Sequence, residues 1–283
     1  MRRRDLLRSS LLALAAGCAP RPRAAGSTAP APAPADRRFE SLRDRYFLKI
    51  LALYPVVSTY LGGDGYSPEL ARTNAALRDW SPEGVAAELS FLKAVRAELG
   101  AVPAANLSPV NRIDHAVVTA QVAYLLHMLE ETRWQERSVE TYTQEPFRGL
   151  DFHMQQMPEQ GQARGKTMLG TKEDWDLLVA RVGEVPLYFE RARANLLAGK
   201  RAGNLPDRRM VKSDGIESLD ASVDYFRTEL PAKAKELLGD RPFAAATLAA
   251  LVEAGTKAST ASAAFSKFLG ETFDLDEKTD RYA

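Results

Sequence analysis

Thr171-Lys172-Glu173-Asp174-Trp175-Asp176-Leu177-Leu178-Val179-Ala180-Arg181-Val182-Gly183-Glu184-Val185-Pro186-Leu187-Tyr188-Phe189 reads as the opening of a long helix. Trp175, Leu178, Val182, Val185, Phe189, Ala192 and Leu196 recur at steps of three and four, so one face is apolar and the other is not. Pro186 lies inside this run. An interior proline removes a backbone hydrogen bond and costs about 3 kcal/mol, which predicts a kink there.

The same period extends outward in both directions. Phe39, Leu42, Tyr46, Ile50 and Leu53 mark a helix that Pro55 ends or bends, and Gly62-Gly63-Asp64-Gly65 is a turn. No Gly-Lys-Ser/Thr follows those glycines, so a phosphate loop is not expected. Ser81-Pro82 and Ser108-Pro109 are two helix starts, each a capping serine before a proline. Val85, Leu89, Leu92, Val95 and Leu99 form the buried stripe of the first. Ile113, Val117, Ala120, Tyr124 and Met128 are the expected core face of the second. The β-branched alternation of Ser138 to Gln144 predicts an extended segment, and it is the sole strand-like run. Residues 199–206 are a loop, and 213–238 and 242–269 are helical. The last of these is rich in Ala, Ser, Thr and Gly, which permits close helix approach. No fixed-period repeat occurs. The expected fold is all-α, an antiparallel-type bundle of several helices spanning residues 37–283.

Upstream of that body the chain carries an address. Met1 to Arg8 is basic, and a short apolar run from Leu11 to Gly17 falls short of the roughly 20 residues that span a bilayer. Residues 1–18 are therefore read as a signal peptide. Arg3-Arg4-Asp5-Leu6-Leu7-Arg8 fits a twin-arginine export signal and equally an arginine-rich Sec signal. Cys18 is the one cysteine, so it forms no intramolecular disulfide. It follows Ala15-Ala16-Gly17 and resembles a lipobox cysteine, although Leu14 stands one position early; the alternative is a cysteine lost with a cleaved leader. Lipidation is the expectation, holding the protein to a membrane through its acyl chains. Ala19, rather than Asp, after the cysteine resembles lipoproteins sorted to the outer membrane, on the periplasmic side. Residues 19–36 alternate Pro and Ala and are expected to be a disordered, extended tether.

Charge excludes one class of partner. Lys plus Arg is 38 against 37 Asp plus Glu, with no clustered positive excess, so nucleic acid is not an expected partner. A zinc hydrolase needs two imidazoles one helical turn apart. The three histidines, His115, His127 and His153, are separated by 12 and 26 positions and do not meet that need. His127, Glu130 and Glu131 share a helix face and make a weak metal site at best, a solvated face being preferred. No Gly-x-Ser-x-Gly elbow is present. The pairs Glu130-Glu131, Asp174-Asp176 and Asp274-Asp276 read as solvated surface. No catalytic residue and no metal ligand are assigned.

Several segments resemble the bacterial family known as domain of unknown function 885. Pro55-Val56-Val57-Ser58-Thr59-Tyr60-Leu61-Gly62 is similar to its early proline-to-glycine motif. Asp114 and its helix resemble the helix leading to a tyrosine-containing loop, here Tyr142. Arg181 to Phe189 with Ala192-Arg193-Ala194-Asn195-Leu196 resembles a kinked helix ending in Asn-Leu, and Phe265 to Leu269 a Phe-Leu segment before a second half. Members are often exported lipoproteins, usually twice this length. Their C-terminal half carries an HExxH helix resembling gluzincin-like zinc metallopeptidases. The resemblance implies that this chain is the N-terminal half of a zincin-like helical protein. It would be inactive without the other half, with zinc and a peptide substrate belonging to the full-length form, and it should expose apolar surface meant for the missing half. A helical lipoprotein that binds a partner or ligand without chemistry is the alternative.

Overall fold

Prolines open the first helices. In the computed structural model, which describes residues 33–163 and 165–275, α1 (Pro34–Leu53), α2 (Pro55–Leu61), α3 (Pro82–Gly100) and α4 (Pro109–Leu126) each begin on one. A proline there lacks only an N–H that has no helical partner anyway. Ser81 and Ser108 cap α3 and α4 by accepting from the Gly84 N–H at 3.0 Å and the Asn111 N–H at 3.4 Å. α2 ends on Gly62, whose φ of 66° suits a residue without Cβ. The chain divides at Ala33/Pro34, and the helices of the described residues lie in the unit Pro34–Ala283. Arg3, Arg4, Cys18 and most of the tether fall outside the described residues. The helix starts three residues before the expected Arg37. Asp36 is buried because its carboxylate accepts from the Ser108 N–H and from the Asn111 amide at 2.9 and 2.8 Å.

The faces of α1 and α3 are as read: Phe39, Leu42, Tyr46, Leu92, Val95 and Leu99 are buried. α4 is rotated from expectation. Ile113, Val117 and Tyr124 are 66%, 59% and 59% exposed, and the core instead receives Asn111, Val118, Val122 and Leu126. This helix has two apolar faces, so periodicity alone cannot tell which faces inward. It runs on through a π turn, His127–Glu131, and the chain reverses at Arg133, whose φ is 47°.

Residues 138–144 are not extended. They open α5 (Val139–Gln156), capped by Ser138 and burying Val139, Tyr142, Gly149, Leu150 and His153. β-branched residues cost about a few tenths of a kcal/mol each in a helix, and that burial outweighs it. Tyr142 is accordingly a helix residue, not a loop residue. The strands lie elsewhere: β1 (Glu159–Ala163) pairs antiparallel with β2 (Lys166–Leu169). Their polar composition gave no alternating signal.

α6 (Lys172–Arg201) is the axis of the body. Thr171 and Asp174 form a reciprocal capping box, with the Asp174 carboxylate accepting from the Thr171 N–H at 2.7 Å. The helix continues through Pro186 and past Asn195-Leu196, so those two residues are internal to it, and the loop expected from 199 starts after Arg201. Three helices, α7 (Arg208–Met210), α8 (Ser218–Asp224) and α9 (Leu230–Leu238), are joined by π turns, and α10 (Ala244–Thr272) packs along α6. Phe265 of α10 stacks on Phe189 at 4.8 Å. Gly255 lets α10 approach so closely that a Cβ there would lie 2.5 Å from the Phe226 carbonyl oxygen. The result is an all-α bundle around one apolar core. Among the described residues no helix is long and apolar enough to cross a membrane.

Candidate functional site

Between α3, α5 and α6 lies a polar cluster that no sequence motif announced. Arg78 is clamped between the Tyr54 and Trp80 rings, 4.0 and 3.8 Å from their centroids. Its Nη2 donates to both oxygens of Glu88, at 3.0 and 2.8 Å. Glu88 is buried on α3 and also accepts from the Tyr54 hydroxyl at 2.5 Å. Burial opposes the charge of Arg78, but Tyr54, Glu88 and Glu145 outweigh it and hold its pKa above the ordinary arginine value. Burial also pushes the Tyr54 hydroxyl well up, so it stays a donor.

A second layer continues from α5 to α6. Glu145 accepts from the Tyr188 hydroxyl at 2.7 Å and from the Arg78 N–H at 3.2 Å. Trp80 Nε1 donates to Tyr188 at 3.3 Å, and Asn195 donates to Tyr142 at 3.1 Å and to the Trp80 carbonyl at 2.9 Å. Burial raises the Tyr142 and Tyr188 hydroxyls strongly. These hydrogen bonds hold the aromatic walls in one arrangement.

Three cavities lie in a row along α5, and the first two adjoin this cluster. The first, about 330 Å³, is walled by Tyr124, Met128 and Trp134 over Tyr54 and Arg78. The second, about 290 Å³, shares Tyr54, Arg78 and Thr141 with the first and adds Glu145 and Arg148. The third, about 520 Å³, shares Gln144 and Arg148 with the second and reaches Phe147 and Tyr225. Thr141, Gln144 and Arg148 stand at i, i+3 and i+7 on one helix face, which explains the linear order. Arg148 is exposed and makes no ion pair among the described residues. Such a row offers apolar walls, fixed donors and fixed acceptors at intervals, which suits an extended ligand carrying both polar and apolar groups.

The residues read from sequence are placed elsewhere. His127 Nδ1 meets Glu131 at 2.9 Å on the surface, while Glu130 pairs with Lys93 at 2.5 Å. His115 Nε2 lies 3.2 Å from the Leu99 carbonyl. His153 is buried, and neither ring nitrogen makes a well-formed hydrogen bond. No three His, Cys, Asp or Glu side chains converge among the described residues. Asp174 caps α6, Asp176 pairs with Lys172, and Asp114 pairs with Arg43 at 2.9 Å. The cluster of Tyr54, Arg78, Glu88, Glu145 and Tyr188 was missed because its members come from five segments. Glu88, a carboxylate inside an otherwise apolar stripe, was the one visible sign.

The family model for bacterial proteins of unknown function, DUF885, matches residues 55–281. The chain belongs to this family. DUF885 therefore covers α2 through α10, including every wall of the cavity row except Tyr54. No curated protein matches the chain. A solved structure from Shewanella oneidensis, described as a candidate lipoprotein of unknown function, is similar at a TM-score of 0.60 and 16% identity. The match covers 82% of this chain and 37% of that one, so this DUF885 chain spans well under half of that relative's length.

Proposed function

We propose that this chain is the N-terminal helical wall of an exported DUF885 lipoprotein of zinc-peptidase type. It binds and orients an extended peptide and performs no chemistry by itself. The observation that carries the reading is the row of three adjoining cavities along α5, the first two floored by the clamped Arg78. Arg78, Thr141, Gln144 and Glu145 supply donors and acceptors for a peptide backbone, and Trp134, Tyr124 and Phe147 supply walls for side chains. Zinc does not fit the described residues: His115, His127 and His153 lie on different elements, the first facing a carbonyl, the second a lone carboxylate and the third buried near the Arg181 guanidinium. The metal and the HExxH helix are assigned to the other half of the full-length protein, and no step through them is derived.

Export by the Arg3-Arg4 signal and acylation of Cys18 would tether the body to the outer membrane on the periplasmic side. The candidate-lipoprotein description of the Shewanella relative supports the lipid anchor. The same cleft also serves the alternative, a non-enzymatic lipoprotein that captures its ligand.

The test is made with the purified full chain and a library of short peptides. Expected are retention of peptides in intact form, weakened by Arg148→Ala, and no cleavage. Stoichiometric, tightly held zinc together with peptide hydrolysis refutes the claim of inactivity, and absence of any retained peptide refutes the cleft. An in-frame HExxH codon run past Ala283 favours the wall of a peptidase over the simple binder.

A further inference from the structure

Helix α4 buries one apolar face and leaves a second one bare. Val110, Ile113, Val117, Ala120 and Tyr124 are all exposed on its outer side. Their steps are three, four, three and four, averaging 3.5 residues, which is the spacing that keeps a seam aligned with another helix. At about 1.5 Å per residue the seam runs about 21 Å, or two heptads. Ala116 and Ala123 flank it and are exposed, so a neighbouring backbone can come close. Asp114, the acid beside the seam, is already engaged by Arg43. The lower end of the seam is Tyr124, which also walls the first cavity. The bare face thus runs directly into the candidate cleft.

We infer that this seam seats an amphipathic helix from the remaining part of the full-length protein, and that this helix roofs the first cavity at its Tyr124 end. The inference rests on the reading of the chain as one wall of a cleft. The spacing calls for a helix rather than a loop. The match to 37% of the Shewanella chain leaves most of that chain's length to supply a cover. A second copy of this chain is disfavoured by size, since one helix pair of two heptads falls short of the about 1,600 Å² of a standard interface.

The probe is a fluorescein-labelled 21-residue helical peptide with Leu at the heptad a and d positions and Glu and Lys elsewhere, titrated into the full chain by fluorescence anisotropy. Saturable binding is expected, weakened at least tenfold by Val117→Asp and by Ile113→Lys. It should be unchanged by Val252→Asp, an exposed apolar site on α10. In the solved Shewanella relative, a helix from the unmatched part should cover the face equivalent to this seam. Absent binding, equal weakening by Val252→Asp, a chain dimer that Val117→Asp dissociates, or an open equivalent face in the relative would each overturn the inference. Peptide retention in the cleft is read separately. If the seam behaves as expected while retention fails, the functional reading falls alone, and the converse sinks only the roof.

Discussion

Acidification should destabilise this domain through one side chain, His153. It lies on α5 in the core, 2% exposed, and neither ring nitrogen makes a well-formed hydrogen bond. Burial lowers its pKa from 6.5 to about 4, Arg181 adds to that, and Asp174 and the Asn74 backbone oppose it. The folded state therefore holds the ring neutral where the unfolded chain binds a proton. Its contribution is complete above the unfolded value of 6.5 and is lost as pH falls toward about 4. Between about pH 7.5 and pH 5 the proton taken up only by the unfolded chain costs about 2 kcal/mol. For a body of this size that is a fall in Tm of about 4–8 °C. Calorimetry across that range, on wild type and His153→Leu, measures it. The variant replaces a buried imidazole with an apolar side chain and should flatten the profile between pH 6.5 and 4. Parallel falls in the two proteins would refute the assignment to His153.

Further outcomes follow from the packing. Arg181 is fully buried and donates to the carbonyls of Ala76, Gly149 and Thr73 and to the Thr59 hydroxyl, so Arg181→Met should lose about 3 kcal/mol or more in urea denaturation. Arg181→Lys should lose less, and a neutral Met variant would mean that desolvation, which lowers the Arg181 pKa to about 10, outweighs those bonds. Gly255→Ala places a methyl 2.5 Å from the Phe226 carbonyl and should destabilise by about 1–3 kcal/mol in the same assay. Val117→Asp, on the exposed seam, should change stability by no more than about 0.5 kcal/mol. Val118→Asp, one residue on and 7% exposed, should instead prevent cooperative folding by circular dichroism.

The chain's local grammar determined its helices. Serines before prolines, the Thr171 start and the apolar stripes of α1, α3 and α6 are short-range signals, because capping and amphipathicity act within one or two turns. The family was legible too, in segments such as residues 55–62 and 181–196. What local signals could not supply was orientation and convergence. α4 has apolar residues on two sides, and only the packing of Val118, Val122 and Leu126 against the rest of the body selects the inner one. α5 is helical at its start because burial of Val139 and Tyr142 outweighs weak β-branched preference. Arg78, Glu88, Glu145 and Tyr188 are separated by 10 to 110 positions and meet only when α3, α5 and α6 pack. The bundle class was therefore written in nearest-neighbour chemistry, whereas the cleft and the bare seam exist only through contacts between residues far apart in the chain, which no local period encodes.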